Sequence, residues 1–473
     1  MSFKKLYSQN KIYFISIISL IISSIFSVGF FHPDEHYQIL EFANYKLGNI
    51  SSDRLPWEFH EKIRPTIQPI IALSLIKFLK IFNIFSPFLA SIILRLISSL
   101  LCFYTLKTLY NYYHNEFEDN NYRKLFKNLS FLSWFLIFIG ARYTSENWSA
   151  CLIIIGFIHL LKNQSYITNH LFLSGVFLGL AFIFRFQSGF IILGIYLWLI
   201  FIQKTTFKKL FILSSAILTL IILGFIIDSW FYRCSTFTAL NYLMSFLSKN
   251  APNFGKEPWW FFFKEAIEKG IPPLSIILVL TFLYFIFKNY KNPITWSILP
   301  FIIFHFFIDH KELRFLFPIF YFLPYIVSKS IRDISLIIST KKQIALKRIM
   351  QFLIVINLIV VLIISFRPMT TKMYLFQFLY SKFPSEKTIY YTDINPYEEI
   401  SFYKKNKLKT VKIKYESIVK NSTYKGKMII TIPEKKHLFK HNKLLYQTYP
   451  KWMNVFNIRN WMGKSEQYLI YKI

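Results

Sequence analysis

Apolar residues form long runs through the first three quarters of the chain, then give way to short alternating runs. A bilayer core about 30 Å thick takes about 20 apolar residues of helix. Candidate spans by this measure are 12–31, 67–84, 87–106, 128–141, 147–162, 169–184, 188–203, 210–228, 271–287, 293–308, 314–328 and 349–366. The first follows Lys4 and Lys5 as a signal peptide would, but no small-residue cleavage site follows and many spans come later, so it reads as an uncleaved first helix. From residue 371 the pattern changes. Short β-like runs at Thr388–Thr392, Thr410–Lys414, Lys427–Ile432 and Gln467–Ile473 alternate with lysines and predict a small α/β or mostly β domain. The predicted organisation is a transmembrane catalytic domain over 1–370, with an outer loop and interfacial helix at 32–66, and a soluble extracytoplasmic domain over 371–473.

Composition agrees with a polytopic membrane protein. Hydrophobic residues make up 54% of the 473 and charged residues 17%, against about 25% charged in soluble domains, and the mean hydropathy is +0.38. These values exclude a disordered chain and a conventional soluble enzyme. The formal charge, 56 − 24 = +32, would suit a nucleic-acid binder. The basic residues, however, lie between apolar runs and in the C-terminal region, where 19 Lys and 1 Arg face 6 Glu and 1 Asp. No nucleic acid is therefore expected as a partner. The richness in Ile, Phe, Asn, Tyr and Lys matches an AT-rich genome. Cys102, Cys151 and Cys234 lie in or beside apolar runs without metal-like spacing, so neither a disulfide framework nor a zinc site is expected.

Basic loops set the predicted orientation. Lys204, Lys208 and Lys209, then Lys288 and Lys291, then Lys329 to Arg348 mark cytoplasmic loops, as do Lys4, Lys5 and Lys11 at the N-terminus. This puts 107–127 and 162–168 inside, and 32–66, 142–147 and 185–187 outside. Two candidate segments then separate an outer from an inner loop where an odd number is needed. Treating 67–84 as interfacial or re-entrant resolves the conflict and leaves eleven crossings, with the C-terminal domain outside.

Ionisable residues at membrane depth are functional candidates, and four groups fall on the predicted outer side. The first is His32-Pro33-Asp34-Glu35-His36, directly after the first span. Pro33 suits a first helical turn. Asp34, Gln38, Glu41 and Tyr45 fall on one polar helical face, as in a helix lying on the membrane surface. Two carboxylates between two histidines could supply a general base; the same spacing fits a capped interfacial helix with acidic residues at its N-terminus. The second group is Trp57-Glu58 with Arg64, which suits either a phosphate contact or an interface anchor. The third is Asp228 to Arg233 with Asn253 to Trp260, an aromatic set that suits sugar or lipid contact, or an aromatic belt. The fourth is Asp309-His310-Lys311-Glu312-Leu313-Arg314, five ionisable residues in six, where Lys and Arg could neutralise phosphate. Arg142, Glu146 and Arg185 also stand at outer span ends, where any of them could line the same cavity or pair with a neighbour. There is no Walker, GxGxxG or GxSxG motif.

His32-Pro33-Asp34-Glu35 after the first helix resembles the signature of the polyprenyl (dolichyl)-phosphate-mannose-dependent α-mannosyltransferases, GT-C enzymes of the Alg9-like and GPI mannosyltransferase type. Further stretches agree in order: Trp57-Glu58 with Ile63-Arg64; Asp228 to Tyr232 with Asn241; Phe254-Gly255 with Pro258-Trp259; and His310-Lys311-Glu312 with Arg314-Phe315. The likeness covers roughly 30–320. Two departures stand out: Arg233 where the family often has Gly, and Trp260 where it often has His. The chain is also short for a eukaryotic member, and its composition suggests a bacterium.

The resemblance implies a GT-C architecture of about eleven transmembrane helices and transfer of mannose from a polyprenyl-phosphate donor to a lipid-linked or surface glycan acceptor. The site would face the outer side of a bacterial inner membrane, or the lumen of the endoplasmic reticulum in a eukaryote. Asp34 would deprotonate the acceptor hydroxyl, with Glu35 orienting the acceptor or His36. His310, Lys311 and Arg314, supported by Arg64, would hold the leaving phosphate. His32, His36, Trp57, Glu58, Asp228, Tyr232, Trp259 and Glu312 would line the substrate site. A single displacement inverts the anomeric centre. Phosphate leaves without protonation, so no cofactor or metal is required, although the scheme leaves room for a carboxylate-bound divalent ion. The C-terminal domain suits acceptor docking or packing on the catalytic loops. A lipid-linked sugar flippase, an oligosaccharide polymerase or ligase, and a non-catalytic lipid-binding scaffold are the alternatives. The flippase would be expected to show internal repeats and broken helices near midplane; neither repeats nor paired Gly/Pro-broken spans stand out in the sequence.

Overall fold

The structure is a computed structural model. It describes residues 3–162, 168–248, 255–383, 386–398, 400–404, 408–415, 424–457, 460 and 462–473. Asn253 and Phe254, and most of the loop at 162–168, lie outside the described residues. The chain divides into two compact units. One comprises Met1–Phe26, Glu61–Gln68 and Ile93–Arg367; the other comprises Ser27–His60, Pro69–Ile92 and Pro368–Ile473.

The first unit is helical. Helices Pro87–Glu116, Phe207–Tyr232 and Thr340–Phe366 are each long and apolar enough to cross a bilayer. The pair Leu274–Lys288 and Pro293–Phe307 meets the same test taken together, across a bend of 114°. Lys11–Phe26, Asn169–Phe184 and Phe186–Ile202 are shorter apolar helices. Exposed Ile222, Phe225 and Ile226, and Ile359, Leu362 and Ile363, show that helices Phe207–Tyr232 and Thr340–Phe366 present apolar faces outward. Lipid is the solvent that such faces need. This is a polytopic α-helical membrane architecture.

Close helix packing follows from small residues. Gly175 and Gly179, four apart on Thr168–Phe184, meet Phe207–Tyr232 so tightly that a Cβ on Gly175 would lie 2.6 Å from Ala216 Cβ, and one on Gly179 would lie 2.8 Å from Leu220 Cβ.

Two predicted spans are broken, each for a visible reason. The run 128–141 divides into Asn120–Leu132 and Trp134–Gly140. Asn357 on Thr340–Phe366 pays for the break: its Oδ1 accepts from Trp134 N at 3.0 Å and its Nδ2 donates to Leu132 O. A backbone break away from water requires such partners. The run 314–328 becomes three pieces, Leu313–Leu316, Phe317–Phe320 and Leu323–Ser335. Pro318 and Pro324 each start a piece, because neither can donate to a continuing helix.

The second unit carries the sheet. Strands β1 (Thr388–Tyr391), β2 (Lys409–Lys412), β3 (Met428–Thr431), β4 (Lys443–Gln447) and β5 (Leu469–Lys472) lie in the order β2-β1-β3-β5-β4. β1 runs parallel to β2 and β3, while β5 is antiparallel to β3 and β4. The core of the sheet is Ile413, Ile429, Phe439, Leu469 and Tyr471, with Phe439 and Tyr471 stacked at 4.9 Å. β4 was not expected from the sequence, since Lys443-Leu444-Leu445-Tyr446-Gln447 offers little alternation. It is one of the two edge strands, with β2 at the other end, and Lys443 is exposed, as suits an edge that avoids pairing with other chains.

Candidate active site

The turn after the first helix belongs to the second unit. His32 caps it, with Asp34 N donating to His32 Nδ1 at 3.3 Å, and Pro33 occupies the first helical turn. The helix then changes type: Pro33–Glu35 is α, His36–Leu40 is π and Glu41–Lys46 is α again. The period-3.6 reading placed Asp34, Gln38, Glu41 and Tyr45 on one surface face. The π turn changes that register, because it pairs residues five apart. Glu41 N donates to His36 O, and the two side chains meet as well, His36 Nε2 to Glu41 Oε1 at 2.9 Å. Glu41 is consequently buried, with 3% of its surface exposed, and His36 has 1%.

The ionisable residues of the turn therefore differ in environment. Glu35 turns back to accept from Phe31 N at 2.7 Å and is buried. His36 is stacked between Phe30 and Tyr403. Glu41 accepts from Asn44 Nδ2 and from the backbone N–H groups of Ser401 and Phe402 at 2.6 and 2.8 Å. Burial raises the carboxyl pKa of Glu41, but the hydrogen bonds and charge of His36, with Asn44 and the Phe402 N–H, outweigh it and hold the pKa below the ordinary value. Asp34 keeps 24% of its side chain exposed, with His32 Nδ1 3.4 Å from Oδ1. Glu58 is buried and accepts from Gln38 Nε2 at 3.0 Å. Trp57 opens the short helix Trp57–His60 and is half-buried.

Eight of the predicted residues fall in the first unit: Arg64, Asp228, Tyr232, Trp259, His310, Lys311, Glu312 and Arg314. Asp228 is buried and grips the segment that carries Arg64. Its Oδ1 accepts from Thr66 N at 2.8 Å and Thr66 Oγ1 at 2.6 Å, and Oδ2 accepts from Thr238 Oγ1. Tyr232 Oη donates to Arg64 O at 2.9 Å, and Asn241 Nδ2 to Lys62 O at 3.2 Å. These three side chains thus hold residues 62–66. Arg233, directly after Tyr232, caps its helix at φ +59°. That left-handed conformation costs an ordinary residue about 1–2 kcal/mol, which gives a backbone reason for the glycine often found at this position.

The fourth sequence group closes on residues from elsewhere. Arg314 Nε and Nη2 donate to Glu312 at 2.8 and 3.2 Å, and Arg314 Nη1 donates to Glu146 Oε1 at 2.9 Å. Arg185 Nη1 reaches the same Glu146 oxygen at 2.9 Å, and His310 Nε2 lies 2.9 Å from Glu312 Oε1. Arg185 and Arg314 both lie over the Phe315 ring, at 5.6 and 5.2 Å, and Arg64 is within electrostatic reach of Arg185. Three arginines against Glu146 and Glu312 leave 3 − 2 = +1 before Lys311 is counted. Lys311 is buried and donates to Glu257 O at 2.8 Å and to Ile308 O. Burial lowers its ammonium pKa, opposed by Asp309 and Glu257. Trp259 and Trp260 are exposed beside the helix Phe261–Lys269.

The sequence marks Glu146 and Arg185 as ionisable span ends that could line the same cavity or pair with a neighbour, without naming the partner. Their joining to Arg314 has no local signal, since 168 residues separate Glu146 from Arg314. Among the described residues no three His, Cys, Asp or Glu side chains stand together as metal ligands.

The chain is similar to several known proteins. GPI mannosyltransferase 3 of Debaryomyces hansenii is 26% identical over 372 residues, covering 75% of this chain and 64% of that protein. Mannosyltransferase APTG1 of Arabidopsis thaliana is 24% identical, covering 66% and 57%. GPI alpha-1,2-mannosyltransferase 3 of Homo sapiens is 26% identical, covering 61% and 51%. The chain thus spans between about half and two thirds of the length of these relatives. Among solved structures, ArnT from Cupriavidus metallidurans in the apo state superposes with a TM-score of 0.58 at 9% identity, over 99% of this chain and 98% of that one. The same protein bound to undecaprenyl phosphate gives 0.55 at 10%, over 98% of each. These likenesses show a shared GT-C membrane fold. The model of the Alg9-like mannosyltransferase family matches residues 12–406, and the chain belongs to that family.

Proposed function

We propose that this protein is a multi-pass membrane glycosyltransferase that moves mannose from a polyprenyl-phosphate donor to a lipid-linked or glycan acceptor, with inversion at the anomeric carbon. The observation that carries the reading is the arginine cluster on Glu146: guanidiniums fixed in advance by Glu146 and Glu312 suit a lipid phosphate whose charge rises as the glycosidic bond breaks. Family membership supports the sugar, and a fold neighbour that holds undecaprenyl phosphate supports the donor class.

In this reading Arg314, Arg185 and Arg64, with His310, neutralise the donor phosphate. Lys311 ties the 308–312 loop to Glu257, and Asp228 and Tyr232 hold the Arg64 segment. Asp34, the carboxylate of its turn with the most exposure, accepts the acceptor hydroxyl proton as that oxygen attacks. The test is transfer by purified protein in lipid nanodiscs, supplied with radiolabelled polyprenyl-phosphate mannose and lipid-linked glycan acceptors. Label moving to the acceptor from that donor, and not from a nucleotide sugar, supports the proposal. Transport of the intact donor across proteoliposomes without transfer overturns it.

A further inference from the structure

The C-terminal segment of the second unit grips the Asp34 turn at both ends. On its N-terminal side, Met369 N donates to Val28 O at 2.9 Å, and Thr370 Oγ1 donates to Phe30 O at 3.0 Å. Gly29 sits beneath Thr370 at φ +86°, and a Cβ there would stand 2.7 Å from Thr370 Cβ. On the other side, Glu41 accepts the Ser401 and Phe402 N–H groups, and His36 stacks on Tyr403 at 5.7 Å with the rings 15° apart. Tyr403 is fixed in turn by Ser91, its Oη 2.8 Å from Ser91 Oγ, and by packing on Phe88.

Packing alone would not need this arrangement. A carboxylate with 3% of its surface exposed is costly to bury. Here it collects two backbone donors from a segment 360 residues away, along with Asn44 and His36. The π turn within the second grip is what brings His36 and Glu41 into one column, and π turns recur at functional sites. Asp34 lies between the grips, on the short α turn that the π segment follows.

We infer that residues 369–370 and 400–403 are a positioning element for the general base, and that Glu41 and His36 are positioning residues through which the C-terminal domain sets the place of Asp34. This inference rests on the proposed transferase reading for its activity arm alone. Misplacing a reacting group by about 1 Å costs about 100-fold in rate. Release of the C-terminal grip should therefore lower kcat far more than it raises KM for the donor.

The experiment compares wild type, Glu41→Ala and Glu41→Gln in nanodiscs by two readouts: steady-state transfer, and hydrogen exchange at the backbone amides of residues 34–38 and 401–402. The Gln variant keeps an acceptor oxygen for the two amides. The expected result is a fall in kcat of about 100-fold for Glu41→Ala with KM for donor within about threefold, faster exchange at both segments, and recovery of at least a tenth of wild-type kcat in Glu41→Gln. Unchanged kcat, or unchanged exchange at 34–38, overturns the inference. If wild type itself transfers nothing, the transferase proposal fails separately. The exchange at 34–38 then decides this inference alone, faster exchange supporting it and unchanged exchange refuting it.

Discussion

Glu146→Gln is the substitution that most directly probes the arginine cluster. One buried oxygen of Glu146 accepts from Arg185 and Arg314, both at 2.9 Å, and its second oxygen accepts from Ser145 Oγ at 3.2 Å. The side chains of Glu146, Arg185 and Arg314 are 4%, 5% and 10% exposed, so water screens the group little. Removing one member of a buried ion pair costs about 3–5 kcal/mol, because the remaining charge stays buried. Gln keeps an acceptor and the volume, which puts the expected loss near the lower end, about 3 kcal/mol, or about two decades in the folding equilibrium. Chemical unfolding in nanodiscs, followed by tryptophan fluorescence, measures it. A phosphate ligand brings the negative charge that the substitution removes. Polyprenyl phosphate at about a hundredfold excess over its Kd adds about 2.7 kcal/mol of stability by mass action, and at equal concentration it should stabilise Glu146→Gln more than wild type. A loss below about 1 kcal/mol, or a smaller ligand effect in the variant, would refute the reasoning.

Asp228→Ala removes the acceptor of three buried hydrogen bonds, each worth about 0.5–1.5 kcal/mol. It should destabilise by about 3 kcal/mol or more and weaken donor binding by freeing the Arg64 segment, whereas Asp228→Asn should recover most of both in the same unfolding and binding assays. Arg233→Gly relieves the left-handed cap at φ +59° and should raise stability by about 1 kcal/mol; Arg233→Ala should give no such gain. Glu41 and Asp393 both titrate below their ordinary values: burial raises each, and His36 in one case and Lys435 in the other outweigh it. A depressed carboxylate adds stability above its unfolded pKa, about 4, and that stability is lost as the pH falls through the folded value. Near-ultraviolet circular dichroism between pH 6 and 3 should show acid unfolding that Glu41→Gln makes shallower.

Much of this organisation is legible in the chain because lipid imposes a simple rule. Long apolar runs must be helical, and all twelve predicted segments carry helix. The change of pattern near 370 announces the sheet, since short runs rich in β-branched and aromatic residues set between lysines fit strands. What stays hidden is set by long-range partners. The break at Ser133 depends on Asn357, and a run of apolar residues carries no mark of it. The π turn at His36–Leu40 defeats a 3.6-residue reading, which put Glu41 at the surface when it is buried against Ser401 and Phe402. Glu146 looked like one more charge at a span end, because its two arginines come from distant elements. The motif residues Asp228 and Tyr232 were legible as a group. Their task of holding residues 62–66 was not, because their partners are backbone atoms, which no sequence pattern marks.

The central claim is that Asp34 takes the proton in a sugar transfer from a polyprenyl-phosphate donor. The measurement is single-turnover transfer of radiolabelled mannose by wild type and Asp34→Asn in nanodiscs, with donor binding measured on the same samples. General-base catalysis contributes about 10²–10⁴-fold. The account predicts a loss of that order in the transfer rate, with donor affinity within about threefold of wild type. Transfer by Asp34→Asn at the wild-type rate, with donor bound equally, would contradict it.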